Sequence, residues 1–249
     1  MKSQIFGKFF GLFQAIIMAA ASSCAEAAVL PGNTADAWLT GTAAGDGSSG
    51  TGASAAYGSS TSNVFVGRTS TGTVGVMVFV FQLPTLVAGE SIGSASFTFT
   101  QLTNTSALTA NIDLYGLGYR TTSAVTTGDY FVGSLDSTSA TLLKDNWFTT
   151  GTVASANTAY TTDSGASDNL KAYLNAQYTA GAVGGNYVFL RLNYDAFSDV
   201  GRIEAATANN ATEAYRPSIS YTIVPEPQTW ALLGSAFFLF VAMRRRRSA

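Results

Sequence analysis

Residues 74–82 form a nearly unbroken run of β-branched and aromatic side chains. Valine occupies one alternating set of positions, and Met77, Phe79 and Phe81 occupy the other. A strand that is apolar on both faces has to be covered on both sides. The run therefore predicts a central strand of a layered β structure. Pro84 ends it, because proline cannot donate to a central ladder.

Shorter segments alternate apolar and polar residues, as half-buried strands do. They are residues 63–68, 96–101, 111–119, 187–193 and 218–223. The alternation places Phe97 and Phe99 inward, together with Val188, Leu190 and Leu192. Residues 41–62 are almost wholly Gly, Ser, Thr and Ala, and they predict either a flexible loop or an irregular edge, since they offer little to bury.

One segment has the helical period instead. Leu170, Tyr173, Leu174 and Tyr178 recur at helical spacing, which predicts a helix over residues 168–179 with Ser167 as its N-cap and Gly181 as its stop. Strands in two sheets with one short helix predict an all-β fold, a jelly-roll type β-sandwich, for a body of residues 28–223.

Histidine is absent and Cys24 is the sole cysteine. These two facts exclude Ser-His-Asp and Cys-His catalysis, Cys/His zinc sites and an intrachain disulfide. The body must therefore be held by its own hydrophobic core. Its seven basic and 13 acidic residues give a net charge of −6, which argues against a nucleic-acid partner.

The N-terminus has the pattern of a signal peptide over residues 1–27. Lys2 and Lys8 precede an apolar run, and small residues follow, with Ala25 and Ala27 in the positions of a signal peptidase site. A membrane anchor is the alternative, although the run is shorter than the ~20 residues that a span needs. Lipidation of Cys24 is a second alternative, but Ala21 stands where a lipobox usually has leucine.

Residues 224–249 have a distinct order of features. Val224, Pro225, Glu226 and Pro227 come first, and an uncharged run over residues 230–243 follows. A helix of this length is only about 21 Å long, so it is a marginal, transient inner-membrane anchor. The run closes with the basic cluster Arg244, Arg245, Arg246 and Arg247. Such a cluster stays on the cytoplasmic side.

This order resembles the PEP-CTERM sorting signal, and similar tails have also been labelled as the C-terminal region of ice-binding proteins. The resemblance implies cleavage near residues 225–227 by an exosortase, after removal of the leader by signal peptidase. It also implies a Gram-negative producer of exopolysaccharide. An ordinary C-terminal tail anchor is the alternative.

The body resembles the DNRLRE domain family, whose jelly-roll folds are similar to carbohydrate-binding modules. The segments that carry this resemblance are residues 36–38, 64–68, 78–84, 92–97, 112–115 and 216–221. The resemblance implies glycan binding and adds Asp36 as a calcium ligand. The chain departs from the family where a Trp-rich region usually follows the middle strands.

Two kinds of binding site are expected, and no catalytic residue stands out. Aromatic rings that could stack on sugars are Trp38, Tyr115, Tyr119 and Trp147, unless they belong to the core. Carboxylates that could hold a structural calcium ion are Asp36, Asp163, Asp168, Asp195 and Asp199. Helix capping explains Asp168 equally well.

The sequence thus predicts an exported, non-enzymatic surface or matrix protein that is associated with exopolysaccharide. An ice-binding protein and a polysaccharide-active enzyme with two carboxylates are the alternatives. The first requires flat threonine ladders, and the second requires two facing carboxylates at a set separation.

Overall fold

The computed structural model describes residues 27–42, 53–58, 63–68, 73–131, 140–152, 155–195 and 200–225. The predicted signal helix, Ala25, and the hydrophobic helix of the C-terminal tail lie outside these residues. Within them, no helix has both the length and the apolar character to cross a membrane.

Strands dominate the described chain, and the predicted all-β class is confirmed. The strands are β1 (Ala27–Pro31), β2 (Ala37–Thr42), β3 (Ala53–Gly58), β4 (Asn63–Arg68), β5 (Thr73–Gln82), β6 (Glu90–Ser106), β7 (Ile112–Arg120), β8 (Ala140–Phe148), β9 (Thr158–Thr161), β10 (Tyr187–Tyr194), β11 (Gly201–Ala206) and β12 (Ser218–Pro225). The α-helix, α1, spans Ser164–Thr179, and two 3-10 turns span Thr127–Asp129 and Glu213–Tyr215.

All twelve strands belong to one antiparallel sheet, not to two separate sheets. The order along it is β1-β12-β6-β11-β4-β5-β10-β7-β8, with β2 on the other side of β5, β3 outside β2, and β9 beside β6. Strands β4 and β5 meet at two register pairs, Gly67 with Gly75 and Arg68 with Val74. This short junction lets the sheet curl, so that its two halves pack face to face as the layers of a sandwich do.

Aromatic rings fill the space between the halves. Phe79 of β5 lies with its ring centroid 5.4 Å from that of Phe97 in β6, and 5.9 Å from that of Phe99. Strands β5 and β6 are not neighbours in the sheet, so these rings meet across the interior. Trp147 of β8 adds an edge-on contact with Phe99 at 5.3 Å. The predicted inward set is confirmed, since these phenylalanines and Val188, Leu190 and Leu192 are all fully buried.

The helix covers the sheet between β6 and β8 and bonds to its backbone. The Asn175 amide accepts from the N–H of Ile92 and donates to its carbonyl, both at 2.9 Å. Gln177 accepts from the N–H of Tyr119 at 3.0 Å. Asn169 donates to the carbonyl of Leu143 at 3.0 Å. These amides satisfy strand groups that would otherwise be unpaired.

The helix begins earlier than the apolar spacing predicts. Its N-cap is Asp163, whose carboxylate accepts from the N–H of Ala166, whereas Ser167 donates to the carbonyl of Thr162. The C-terminal stop is confirmed. Gly181 has a φ of 106°, and the N–H groups of Gly181 and Ala182 bond back to Tyr178 and Gln177.

The small-residue segment 41–62 contains more regular structure than a loop. Strand β2 runs into it, and β3 occupies residues 53–58 at the edge of the sheet, where it pairs with β2. Gly and Ala have little strand preference of their own, so the pairing with β2 decides the conformation of β3.

Candidate functional site

The last strand of the body runs directly into the C-terminal motif. In β12, Val224 pairs with Ser91 of β6, and Pro225 pairs with Glu90. The strand face fits closely at this point, since a Cβ on Gly93 would lie 2.6 Å from a methyl group of Val224. Strand β12 thus includes the first two residues of the motif. Glu226, Pro227 and the arginines Arg244, Arg245, Arg246 and Arg247 lie outside the described residues.

The first described strand lies beside this last one. Ala27, at the start of β1, pairs with Thr222 of β12 in antiparallel register. Ala27 of the predicted signal peptidase site is therefore part of β1. The two segments expected to be removed consequently leave the body from neighbouring strands.

A second feature is a row of buried polar residues on the outer face of β7 and β10. Asn193 pairs with Asp113, and Arg191 pairs with Tyr115, so these four side chains share one face. All four are at most 2% exposed. Asp195 follows on the same face, directly after β10. The face that should meet solvent in a simple sandwich is therefore buried.

Asp113 is the centre of this row. Its Oδ1 accepts from the N–H of Asn146 at 2.7 Å, and its Oδ2 accepts from the Tyr115 hydroxyl at 3.2 Å. Burial raises the pKa of Asp113, and the bond from Asn146 opposes that rise.

Asp113 and Asp195 lie close enough for each carboxyl group to shift the pKa of the other. Burial raises the pKa of Asp195 to about 7, and the negative charges of Asp113 and Asp145 add to the rise. Two neighbouring carboxyl groups disfavour each other's charged form unless a cation lies beside them.

The other end of the row carries cations. The Arg191 Nη1 donates to the backbone carbonyl of Asp129 at 2.9 Å, and its guanidinium lies over the ring of Tyr115. Arg120 binds the Asp129 carboxylate with both terminal nitrogens and lies 4.4 Å from the ring centroid of Phe189. The 3-10 turn that ends at Asp129 is thereby fixed to the outer face.

Most of the predicted calcium ligands bond to backbone N–H groups or to lysines of the protein. Both oxygens of Asp36 accept backbone N–H groups, from Val80 at 2.8 Å and from Ala208 at 3.0 Å. Asp163 caps α1 and bonds the Lys144 ammonium at 2.7 Å.

The other predicted ligands are Asp168, Asp195 and Asp199. Asp168 bonds Lys171 on the helix surface at 2.9 Å, and Asp199 lies outside the described residues. Among the predicted ligands, Asp195 is the one that meets a second carboxyl group. No group of three or more acidic or cysteine side chains in the described ranges is arranged to hold a metal ion.

The predicted sugar-stacking residues are packed against the body. Tyr115 is buried in the polar row, and Trp147 belongs to the aromatic interior. Trp38 lies with its ring centroid 3.9 Å from that of Phe65. The Tyr119 hydroxyl donates to the carbonyl of Ala180 at the end of α1. The structure does not bring these four rings together into one exposed platform.

Sequence reasoning missed Asn193 and the pairing of Asp113 with Asp195. The available signal was weak. Both Asp113 and Asn193 occupy the polar positions of alternating strands, which an outward, solvated face explains equally well. Only the fold shows that this face is covered.

Comparison with known proteins identifies the tail. Residues 224–247 match the family model of the PEP-CTERM protein-sorting motif. The chain therefore carries the signal of an exported, exosortase-processed protein that is sorted to the cell surface of a Gram-negative bacterium. None of the curated proteins matches the chain. The resemblance of the body to the DNRLRE domain family stays a prediction.

Proposed function

We propose that this chain is a non-enzymatic surface or matrix protein that an exosortase releases from a transient inner-membrane intermediate into the exopolysaccharide of a biofilm. The observation that supports this most is the junction between fold and motif. Strand β12 ends at Pro225, and the motif match begins at residue 224. Cleavage just after Pro225 would leave β12 whole in the released body.

The tail fits an intermediate better than a permanent anchor. The uncharged run over residues 230–243 is short for a bilayer core, and the arginines behind it hold it on the cytoplasmic side. In this proposal signal peptidase removes residues 1–27, and the exosortase then separates the body from residues 226–249.

The pair Asp113 and Asp195 argues against a glycosidase centre at this place. Their carboxyl groups lie close enough to shift each other's pKa. Glycosidases instead hold their two carboxyl groups at least about 5 Å apart, so that a sugar fits between them. Association with exopolysaccharide would then proceed through the surface, by binding glycan or by carrying it on the many serines and threonines.

Intact-mass spectrometry of the secreted protein tests the processing route. We expect the wild-type mass to lack residues 1–27 and residues 226–249. The variant Glu226→Ala with Pro227→Ala should keep the tail and remain in the membrane fraction. Gln228→Ala is the matched control, which should be processed normally. A secreted wild-type protein that still contains Arg244–Arg247 would contradict the proposal.

A pull-down with the polysaccharide of the producing strain tests the destination. We expect the mature protein, with its β structure verified by circular dichroism, to be retained on this polysaccharide. Any mass above that of the bare polypeptide would indicate attached glycan. Failure of a folded protein to be retained, together with a bare mass, would reject the association with exopolysaccharide and leave the processing route intact.

A further inference from the structure

We propose that Asp113, Asn193 and Asp195 form a calcium-binding site on the outer face of β7 and β10. This inference is independent of the sorting route, because it concerns the body alone. It also differs from the calcium ligands that the sequence suggests, of which it keeps Asp195.

The first argument is the state of Asn193. Its side chain is fully buried, and neither its Oδ1 nor its Nδ2 has a hydrogen-bond partner within the described part of the chain. Leaving a buried polar group unsatisfied costs about 1–3 kcal/mol, so buried amides nearly always have partners. The backbone of Asn193 is held by its pairing with Asp113 of β7.

The second argument is the direction in which this side chain lies. Asn193 is the register partner of Asp113, and Asp195 follows it two positions later, which places the three side chains on one face. The Oδ1 of Asp195 is also buried without a hydrogen-bond partner. Unsatisfied oxygens from two side chains therefore accompany the Asp113 carboxylate in one small region.

The third argument is charge. The charged groups that act on the carboxyls of Asp113 and Asp195 are each other and Asp145, and all of these are acidic. Arg191 lies on the same face and keeps its positive charge, with its Nη1 bonded to the backbone carbonyl of Asp129 and its guanidinium near the ring of Phe131. When Asp113 and Asp195 are both ionised they repel each other, and a cation between them would relieve this repulsion.

The ligand chemistry favours calcium among the cations. The donors are two carboxylates and one amide carbonyl, all hard oxygen ligands. Calcium accepts six to eight such ligands in irregular geometry and takes backbone carbonyls or water for the rest, whereas magnesium demands a near-ideal octahedron. A site with two acidic residues and one amide is consistent with the absence of a three-carboxylate cluster in the described ranges.

Thermal unfolding of the mature protein tests the site. After treatment with EDTA, we expect about 5 mM calcium chloride to raise the Tm of the wild type by roughly 5 °C. The variant Asp195→Asn should need at least about ten times more calcium for the same rise. Asp168→Asn is the matched control, since it removes an exposed carboxylate from the helix surface, and its response should equal that of the wild type.

Terbium luminescence locates the ion. Tyr115, whose hydroxyl bonds Asp113, should sensitise bound Tb³⁺ under excitation at the tyrosine absorption band, and calcium should displace the signal. Tyr115→Phe should lose the emission and still show the rise in Tm. If Asp195→Asn does not fold, Asn193→Ala provides the second test, with the same loss of calcium response expected.

Three results would overturn the proposal. One is a folded wild type with no calcium-dependent rise in Tm and no terbium emission, which would assign the Asn193 amide to buried water. Another is a calcium response that survives in both Asp195→Asn and Asn193→Ala. The last is a response that Asp168→Asn abolishes, which would place the ion on the helix surface.

Discussion

Strand β10 buries both of its faces, but the two faces are held in different ways. On the inner face, Val188, Leu190 and Leu192 pack among the aromatic rings between the two halves of the sheet. On the outer face, Arg191 and Asn193 are equally buried but depend on specific polar partners. The inner face gains stability from any apolar neighbour of the right size, whereas each polar group of the outer face needs a particular donor, acceptor or ion.

This difference indicates that the residues of the outer face serve a role besides stability. An apolar layer would have closed the outer face at less risk, since an unsatisfied buried polar group is destabilising. The polar row is therefore the part of the body whose residue choice requires an explanation beyond folding. Two substitutions test the contrast between the two faces, and a third tests a buried carboxyl group elsewhere in the body.

The largest loss is expected on the inner face. Phe79→Ala removes a fully buried ring that contacts Phe97 and Phe99 and leaves a cavity, so the free energy of unfolding should fall by about 3–5 kcal/mol. Urea unfolding measures this loss. Val87→Ala is the control, because its side chain is exposed, and it should change the free energy of unfolding by less than about 0.5 kcal/mol. Similar losses for both variants would show that the interior is not packed as described.

A smaller loss is expected on the outer face. Asp129→Asn keeps the shape of the side chain but removes the charge that Arg120 binds, so we expect a loss of about 1.5–3 kcal/mol. Asp168→Asn removes one partner of an exposed ion pair with Lys171 and should cost at most about 0.5 kcal/mol. If the two losses are equal in urea unfolding, the outer face contributes no more than ordinary surface does.

The smallest loss concerns a buried carboxyl group outside the row. Asp36→Asn keeps one of the two acceptor bonds to Val80 and Ala208, and it should cost about 1 kcal/mol at pH 5. Burial raises the pKa of Asp36 from 3.8 to about 7. The folded protein therefore holds this proton more tightly than the unfolded chain, and the stability from this group is lost as pH rises from about 4 through 7.

The raised pKa of Asp36 determines how the free energy of unfolding changes with pH. The wild type should lose this contribution between pH 5 and pH 8, whereas Asp36→Asn has no proton to release there. The difference in free energy of unfolding between the two proteins should thus shrink or reverse at pH 8. Urea midpoints at both pH values measure it, and a difference that does not change with pH would show that Asp36 titrates normally.

Sequence reasoning found the strands whose apolar residues repeat at the right spacing. Strand β4 was predicted with its observed bounds, and β5, β7, β10 and β12 were predicted to within two residues. It missed β1, β2, β8, β9 and β11, which contain many Ala, Thr and Gly residues or mixed polar positions. Such strands are set by the neighbours they pair with, and a single sequence does not contain that information.

The sorting motif and the polar row also differ in how far each could be predicted from the sequence. The sorting motif was predictable because its three features are contiguous in the sequence. The polar row was not, because Asp113 and Asn193 are 80 positions apart and read as outward residues of separate strands. The segment after β7 brings Phe131 against Arg191 on the same face, and no periodicity predicts that placement.

The pairing of β1 with β12 also determines when the sheet can close during export. Among the described strands, β1 is the first to leave the ribosome and to be exported. It pairs with β12, which is the last. Strand β12 in turn lies between β1 and β6, so the sheet cannot close until residues 218–225 have been translocated. Completion of the fold therefore coincides with the arrival of the sorting motif at the membrane. The body stays incomplete during synthesis until the moment at which its release signal is presented.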